Sequence, residues 1–138
     1  MKFFVSCMAM LAAVQAHLQL KTPIPRSNDE FGQEVGPCGK DANTPGVRAI
    51  VSGGKLNVRL AVGHSNSFIH LNLANGPNPT EFPLEVFSKL YSRPSWQNIP
   101  VNLTAFSSVT NGPATLQIVS DSEHGLQYIC ADLTIEGI

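Results

Sequence analysis

The strict alternation of residues 55–62, KLNVRLAV, constrains the fold more than any other feature of this sequence. Its apolar positions share one face: Leu56, Val58, Leu60 and Val62. A period of two residues is typical of a half-buried β-strand, whose side chains alternate between two faces. Ten prolines and eleven glycines divide the 138-residue chain into short segments, and no helix of useful length is predicted.

Similar short segments predict further strands at residues 17–21, 47–51, 68–73, 101–106, 114–119 and 126–135. Turn residues separate them at 53–54, 74–80 and 111–113. Residues 81–91 fit either a strand or a short helical turn. Short strands at regular spacing, with turn signals between them, favour an all-β fold, an antiparallel β-sandwich.

The first 16 residues have the pattern of a secretory signal peptide, with Lys2, an apolar run and a small-residue cleavage signal ending at Ala16. The predicted mature chain, residues 17–138, has the length of one domain. Without Lys2, eight Lys and Arg face ten Asp and Glu, a formal charge of −2. Because this charge offers no basic patch, a nucleic-acid partner is not expected.

Two features fit an exported chain. Cys38 and Cys130 remain after Cys7 is removed with the signal, and an even cysteine count outside the cell favours a disulfide over two free thiols. Asn102 begins the triplet Asn-Leu-Thr, an N-glycosylation acceptor sequence.

His17 becomes the first residue if cleavage follows Ala16. Its free α-amine and its imidazole can then bind one metal ion, and another histidine completes a set of three nitrogen donors. Tetragonal nitrogen donors suit Cu(II), which heads the divalent affinity order. The α-amine has a reference pKa of about 7.7–8.0, so its deprotonation near neutral pH costs little. His17 is therefore predicted to bind copper.

Three histidines are candidates for the second ligand. His64 ranks first, because it follows the strand 55–62 with the parity of its apolar face and lies at the rim, where ligands usually gather. His124, in the polar loop DSEHG, ranks second. His70 ranks third, because within the strand 68–73 it points away from the apolar face, as an ordinary surface histidine does.

Asp132 is a candidate oxygen ligand. It follows Cys130 by two residues and therefore shares its face of the last predicted strand. A carboxylate on a mostly apolar strand needs a partner. A metal ion is one interpretation; a hydrogen-bonded structural aspartate, or an exposed one, is the other.

Several segments resemble one family: HLQL at 17–20, PCG around Cys38, GHSNSFIHLNL at 63–73, NPTEF at 78–82 and GLQYICADLT at 125–134. They are similar to fungal copper proteins of the copper acquisition factor (BIM-like) group, which are related to lytic polysaccharide monooxygenases. The likeness covers most of the mature chain, and the N-terminal histidine and C-A-D-L-T are its most specific parts.

The resemblance implies an immunoglobulin-like or fibronectin-like β-sandwich that binds one copper ion in a histidine brace. Position by position, it implies His17 and His64 as the brace and Asp132 as a further ligand. It also implies a glycosylphosphatidylinositol anchor, but residues 17–138 show neither the Ser/Thr-rich spacer nor the hydrophobic tail of such a signal. Family members commonly carry a second disulfide, for which these residues have no cysteines.

The expected function is that of a non-enzymatic extracellular protein, secreted or on the cell surface. It would hold one Cu(II) for copper acquisition and pass it, as a monomer, to a plasma-membrane copper importer. A carboxylate ligand such as Asp132 would stabilise Cu(II) and fill a position that oxygen needs, which favours capture over catalysis.

Two alternatives remain. One is a copper-dependent lytic polysaccharide monooxygenase acting on cell-wall polysaccharide, for which only Trp96, Tyr91 and Tyr128 offer polar-tipped aromatic side chains. The other is a metal-free surface or adhesion module with the same fold.

Overall fold

A computed structural model describes residues 17–27 and 29–138 and shows two β-sheets packed face to face. The predicted signal peptide, residues 1–16, lies outside the described residues. The strands are β1 Gln19–Thr22, β2 Arg48–Ser52, β3 Lys55–Val62, β4 Ser67–Asn75, β5 Leu84–Tyr91, β6 Ser95–Asn102, β7 Gly112–Ser122 and β8 Gly125–Glu136. A short 3-10 helix, Leu103–Ala105, follows β6.

The smaller sheet has the order β1-β3-β6 and the larger sheet the order β2-β8-β7-β4-β5. All neighbouring strands are antiparallel except β2 and β8, which run parallel. The predicted all-β sandwich is confirmed, and the parallel pair is its one departure from a purely antiparallel design. The chain crosses to the other sheet at Gly53–Gly54, whose positive φ angles of 63° and 74° suit glycine.

The core lies between the two sheets and follows the predicted alternation. Leu56, Val58, Leu60 and Val62 are all buried, and so are Ile69, Leu71 and Leu73 of β4. They pack against apolar side chains of β7 and β8: Leu116, Ile118, Leu133 and Ile135. At roughly 25 cal/mol per Å² of buried apolar surface, this shared core is the main stabilising term of the fold.

One segment differs from the sequence prediction, and the structure of another decides between two alternatives that the sequence left open. The strand expected at 101–106 is β6, which runs from Ser95 to Asn102, because the chain turns into the 3-10 helix at Leu103. Pro100 lies within β6, and an edge strand tolerates a residue that has no N–H to donate. Residues 81–91, which were open between strand and helical turn, contain β5, an edge strand of the larger sheet.

Residues 23–27 and 29–46 run beside β8 and cover part of the outer face of the larger sheet. The backbone N–H of Arg26 donates to the carbonyl of Cys130 at 2.8 Å, and that of Tyr128 donates to Gln33 at 2.7 Å. The predicted disulfide is confirmed: Cys38 is bonded to Cys130, and their Cα atoms are 5.0 Å apart. In the described part of the chain, no helix is long and apolar enough to cross a membrane.

Candidate metal centre

Three of the four histidines lie at one end of the sandwich. Gln19 pairs with Ala61, so continuing this antiparallel register places His17 opposite Gly63, next to His64. The hairpin between β7 and β8, whose last pair is Ser122 with Gly125, carries His124 at its tip. His64 lies in the loop between β3 and β4.

The imidazoles of His64 and His124 stack on each other. Their ring centroids are 4.2 Å apart, and the ring planes differ by 27°. The loop that carries His64 is anchored, because the hydroxyl of the fully buried Ser67 donates to the His64 carbonyl at 2.6 Å. His124 is more exposed, with 59% of its side chain accessible.

His17 is close enough to affect His64 electrostatically. Burial lowers the pKa of His64 below its ordinary value of 6.5, and the nearby charges of His124 and His17 lower it further, against an opposing effect of Glu123. Gln127 contacts the His17 ring, with its Nε2 3.4 Å from the His17 Nδ1. A neutral His64 imidazole is the form that binds metal, since a protonated nitrogen has no lone pair to donate.

The donor set fits copper in its chemistry: three histidines lie at the same end of the sandwich, and a free α-amine at residue 17 would add a fourth nitrogen. The side chains are not already arranged as a complete site. Within residues 17–27 and 29–138, no three His, Cys, Asp or Glu side chains form a group that could hold a metal ion. The stack explains this, because imidazole lone pairs lie in the ring plane and stacked rings do not aim them at one point.

His70, the third-ranked candidate, lies apart from this cluster on the outer face of the larger sheet. Its Nδ1 is 2.5 Å from Oε1 of Glu85 on the neighbouring strand, and its ring stacks on Phe68 at 4.7 Å. These cross-strand contacts are those of the ordinary surface histidine that the alternation of β4 predicts.

Asp132 is engaged by protein donors on both carboxylate oxygens. Arg26 donates from Nη2 to Oδ1 at 2.8 Å and from Nε to Oδ2 at 2.9 Å. The Thr115 hydroxyl donates to Oδ1 at 2.8 Å, and the Gly46 N–H donates to Oδ2 at 2.7 Å. Four hydrogen bonds match the roughly four lone-pair positions of a carboxylate, so none is left for a metal ion.

The position of Asp132 also separates it from the histidines. Gln127, which contacts His17, precedes Asp132 by five residues on β8, about 17 Å at the rise of a strand. The structure therefore brings His17, His64 and His124 together but does not bring Asp132 to them. The contacts of Asp132 support its interpretation as a hydrogen-bonded structural aspartate.

The residue that sequence reasoning missed is Arg26. It precedes Asp132 by 106 residues, and its side chain is only 3% exposed. No spacing rule links two such distant positions. The only available signal was that a carboxylate among apolar strand residues needs a cation or several donors.

The ion pair predicts a specific acid sensitivity. Burial raises the pKa of Asp132, but the hydrogen bonds of Arg26, Gly46 and Thr115 and the Arg26 charge outweigh it, so the net pKa is below 3.8. A depressed folded-state pKa contributes stability that is present above the unfolded value and is lost as the pH falls through the folded value. We expect the free energy of unfolding to fall below about pH 4, measured by urea denaturation at stepped pH.

Asp132→Asn should flatten this part of the pH profile, because it removes the titrating group. Glu81→Gln, at an exposed carboxylate, serves as the matched control and should keep the wild-type slope. A slope that is the same in Asp132→Asn and wild type would contradict the assignment.

Comparison with protein families gives a match over residues 15–137 to the family described as copper acquisition factor BIM1-like. No curated protein matches the chain.

Solved structures share the fold at low sequence identity. An AA10 lytic polysaccharide monooxygenase (LPMO) from Streptomyces lividans has a TM-score of 0.53 and 13% identity, and the match covers 91% of this chain and 86% of that one. An LPMO from Kitasatospora papulosa has a TM-score of 0.52 and 13% identity, with 69% of this chain and 55% of that one covered. T. fusca AA10A has a TM-score of 0.48 and 16% identity, over 67% of this chain and 54% of that one.

This chain thus spans about half the length of the K. papulosa and T. fusca proteins. At 13% identity, the likeness to the S. lividans and K. papulosa proteins concerns the fold alone. The family match is of a different kind, because it extends over nearly the whole chain, including the segments that carry the clustered histidines and the disulfide. The chain belongs to the copper acquisition factor BIM1-like family.

Proposed function

We propose that this protein binds one Cu(II) ion outside the cell and holds it for copper acquisition, without acting as an enzyme. The α-amine and imidazole of His17 and the imidazole of His64 would be the ligands, once the chain begins at His17. The copper ion is then cargo, to be passed to a plasma-membrane copper importer.

The observation that carries the proposal is the placement of His17 beside His64. They are 47 positions apart in sequence, yet the β1–β3 register brings them to the same end of the sandwich, and the charge of His17 lowers the pKa of His64. The anchored β3–β4 loop holds one ligand, while the first residue supplies two donors through its own chelate. The family to which the chain belongs supports copper as the metal.

Asp132 is left out of the proposed site. Since Arg26, Thr115 and Gly46 already occupy its oxygens, recruiting it would leave the buried Arg26 guanidinium without its carboxylate partner. The preference for capture over catalysis therefore rests on the family's description rather than on a carboxylate ligand.

The proposal is tested by N-terminal sequencing of the exported protein, followed by Cu(II) titration against a competing chelator. We expect His17 as residue one and binding tighter than micromolar with a stoichiometry of one. A different first residue, or micromolar or weaker binding, would remove the basis for the brace.

The alternative of a polysaccharide monooxygenase is favoured by one observation, the sandwich shared with the S. lividans LPMO. The copper-loaded protein, supplied with a reductant and oxygen or peroxide, can be assayed for oxidised sugars from chitin, cellulose and xylan. Copper-dependent products would replace the carrier proposal with the enzymatic one.

Export also predicts glycosylation of Asn102. The side chain is exposed at the end of β6, and its Oδ1 accepts hydrogen bonds from the Thr104 N–H at 3.1 Å and hydroxyl at 2.6 Å. Protein secreted from a eukaryotic host should lose mass on treatment with an amidase that removes N-linked glycans. Asn102→Gln should abolish the shift, and Asn78→Gln, where proline follows the asparagine, should not.

A further inference from the structure

We infer that His124 is a third imidazole ligand of the copper ion, carried on a solvent-exposed hairpin. The inference rests on the proposed function, because it concerns the same metal ion that His17 and His64 would bind. It adds a ligand from a third part of the chain, the turn between β7 and β8.

The first support is position. A two-residue turn, Glu123-His124, closes the hairpin, and the backbone N–H of His124 donates to the Ser122 hydroxyl at 3.2 Å. This geometry places the His124 ring against His64, at a centroid distance of 4.2 Å. A ligand that already contacts another ligand needs only side-chain rotation to reach the same ion.

The second support is freedom of movement. The His124 side chain is 59% exposed and that of Glu123 is 82% exposed, so turning the imidazole disrupts no core packing. Rotamer changes of exposed side chains occur in picoseconds to nanoseconds, which is far faster than metal exchange requires. The 27° angle between the rings shows that the stack is already imperfect.

The third support is the chemistry of the donor set. Cu(II) favours a tetragonal arrangement of nitrogen donors. The amine and ring of His17 with the ring of His64 supply three, and His124 would supply the fourth. The Glu123 carboxylate, whose Oε1 is 3.6 Å from Nε2 of His124, would place a negative charge near an ion bound by His124.

This arrangement also suits transfer of the ion. His64 is held by its anchored loop, and His17 lies two residues before β1, whereas His124 is the ligand on an exposed turn. An acceptor that supplies its own nitrogen or sulfur ligand would therefore displace His124 first and approach from the hairpin side.

The experiment uses the mature protein beginning at His17, loaded with one equivalent of Cu(II). Pulsed electron paramagnetic resonance counts the coordinated imidazoles through their remote nitrogens, and chelator competition gives the Kd. We expect three imidazoles in the wild type and two in His124→Ala. We expect the Kd for copper to rise at least about tenfold. Losing a residue that only supports a metal ligand already weakens metal binding by about 10- to 100-fold, so losing a ligand should cost no less.

His70→Ala is the matched control, a partly exposed histidine whose ring contacts Phe68 and Glu85 instead. It should leave the imidazole count and the Kd unchanged. Equal thermal unfolding midpoints of the copper-free variants would show that folding is intact.

Two imidazoles in both the wild type and His124→Ala, with equal Kd values, would overturn the inference and leave the brace in place. A wild-type protein that binds no Cu(II) would overturn the proposed function, and the inference with it.

Discussion

Arg26→Ala should lower the free energy of unfolding by about 3–5 kcal/mol, the range for breaking a buried ion pair from one side. The side chains of Arg26 and Asp132 are 3% and 0% exposed, so little solvent screens the charge that remains. Arg26 also donates to the Ala42 carbonyl at 3.2 Å, which ties the segment covering β8 to the same pair. Urea denaturation at neutral pH measures the loss.

Controls separate the pair from a general effect of removing arginine. Arg93→Ala, at an exposed arginine, should change stability by no more than about 0.5 kcal/mol. Arg26→Lys should recover only part of the loss, because an ammonium cannot make the bidentate contact. The double variant Arg26→Met with Asp132→Leu should be more stable than Arg26→Ala, since it leaves no unpaired buried charge. A loss below about 1 kcal/mol in Arg26→Ala would contradict a buried, uncompensated Asp132.

One alanine added before His17 should weaken Cu(II) binding by at least about 100-fold. That is the upper end of the effect of losing a residue that only supports a metal ligand, and here a ligand itself is lost. The added residue converts the α-amine of His17 into a peptide nitrogen and displaces the free amine from the chelate. His64→Ala should have an effect of similar size, because it removes the ligand that the β3–β4 loop supplies. Chelator competition measures both.

The extension leaves every side chain of the folded domain in place, so a change in affinity reports the amine alone.

Asp132→Asn tests the residue that is left out of the proposed site. We expect lower stability but an unchanged Kd for copper, because its carboxylate contacts Arg26 and lies about 17 Å along β8 from the residue that contacts His17. An unchanged Kd in the extended protein would refute the brace. A higher Kd for copper in Asp132→Asn would show that the Asp132 carboxylate belongs to the metal site.

Much of the fold could be predicted because its signals are local. Alternation along 55–62 defined β3 and its buried face, since a pleated strand repeats every two residues. The cysteine count predicted the disulfide between Cys38 and Cys130. The strand β6 was misplaced because Pro100 interrupts its pattern, and only its edge position explains why proline is tolerated there.

The candidate site, too, could be predicted from the sequence only in part. His17 became a candidate ligand from its position after Ala16, and the parity of β3 pointed to His64 at the rim. The contact between His64 and His124 joins residues 60 positions apart, through a loop and a hairpin that meet only in three dimensions. No periodic pattern encodes a distance between two turns.

By itself, the sequence determined which apolar strand residues are buried, how the strands alternate, and which side chains have metal-binding chemistry, because these depend on residue type and local spacing. The tertiary structure alone decided which of those side chains meet. It paired Asp132 with an arginine 106 positions away and brought His124 to His64. The reason is physical: a buried carboxylate must find a partner wherever the chain supplies one, and sheet register sets which loops share an end of the sandwich.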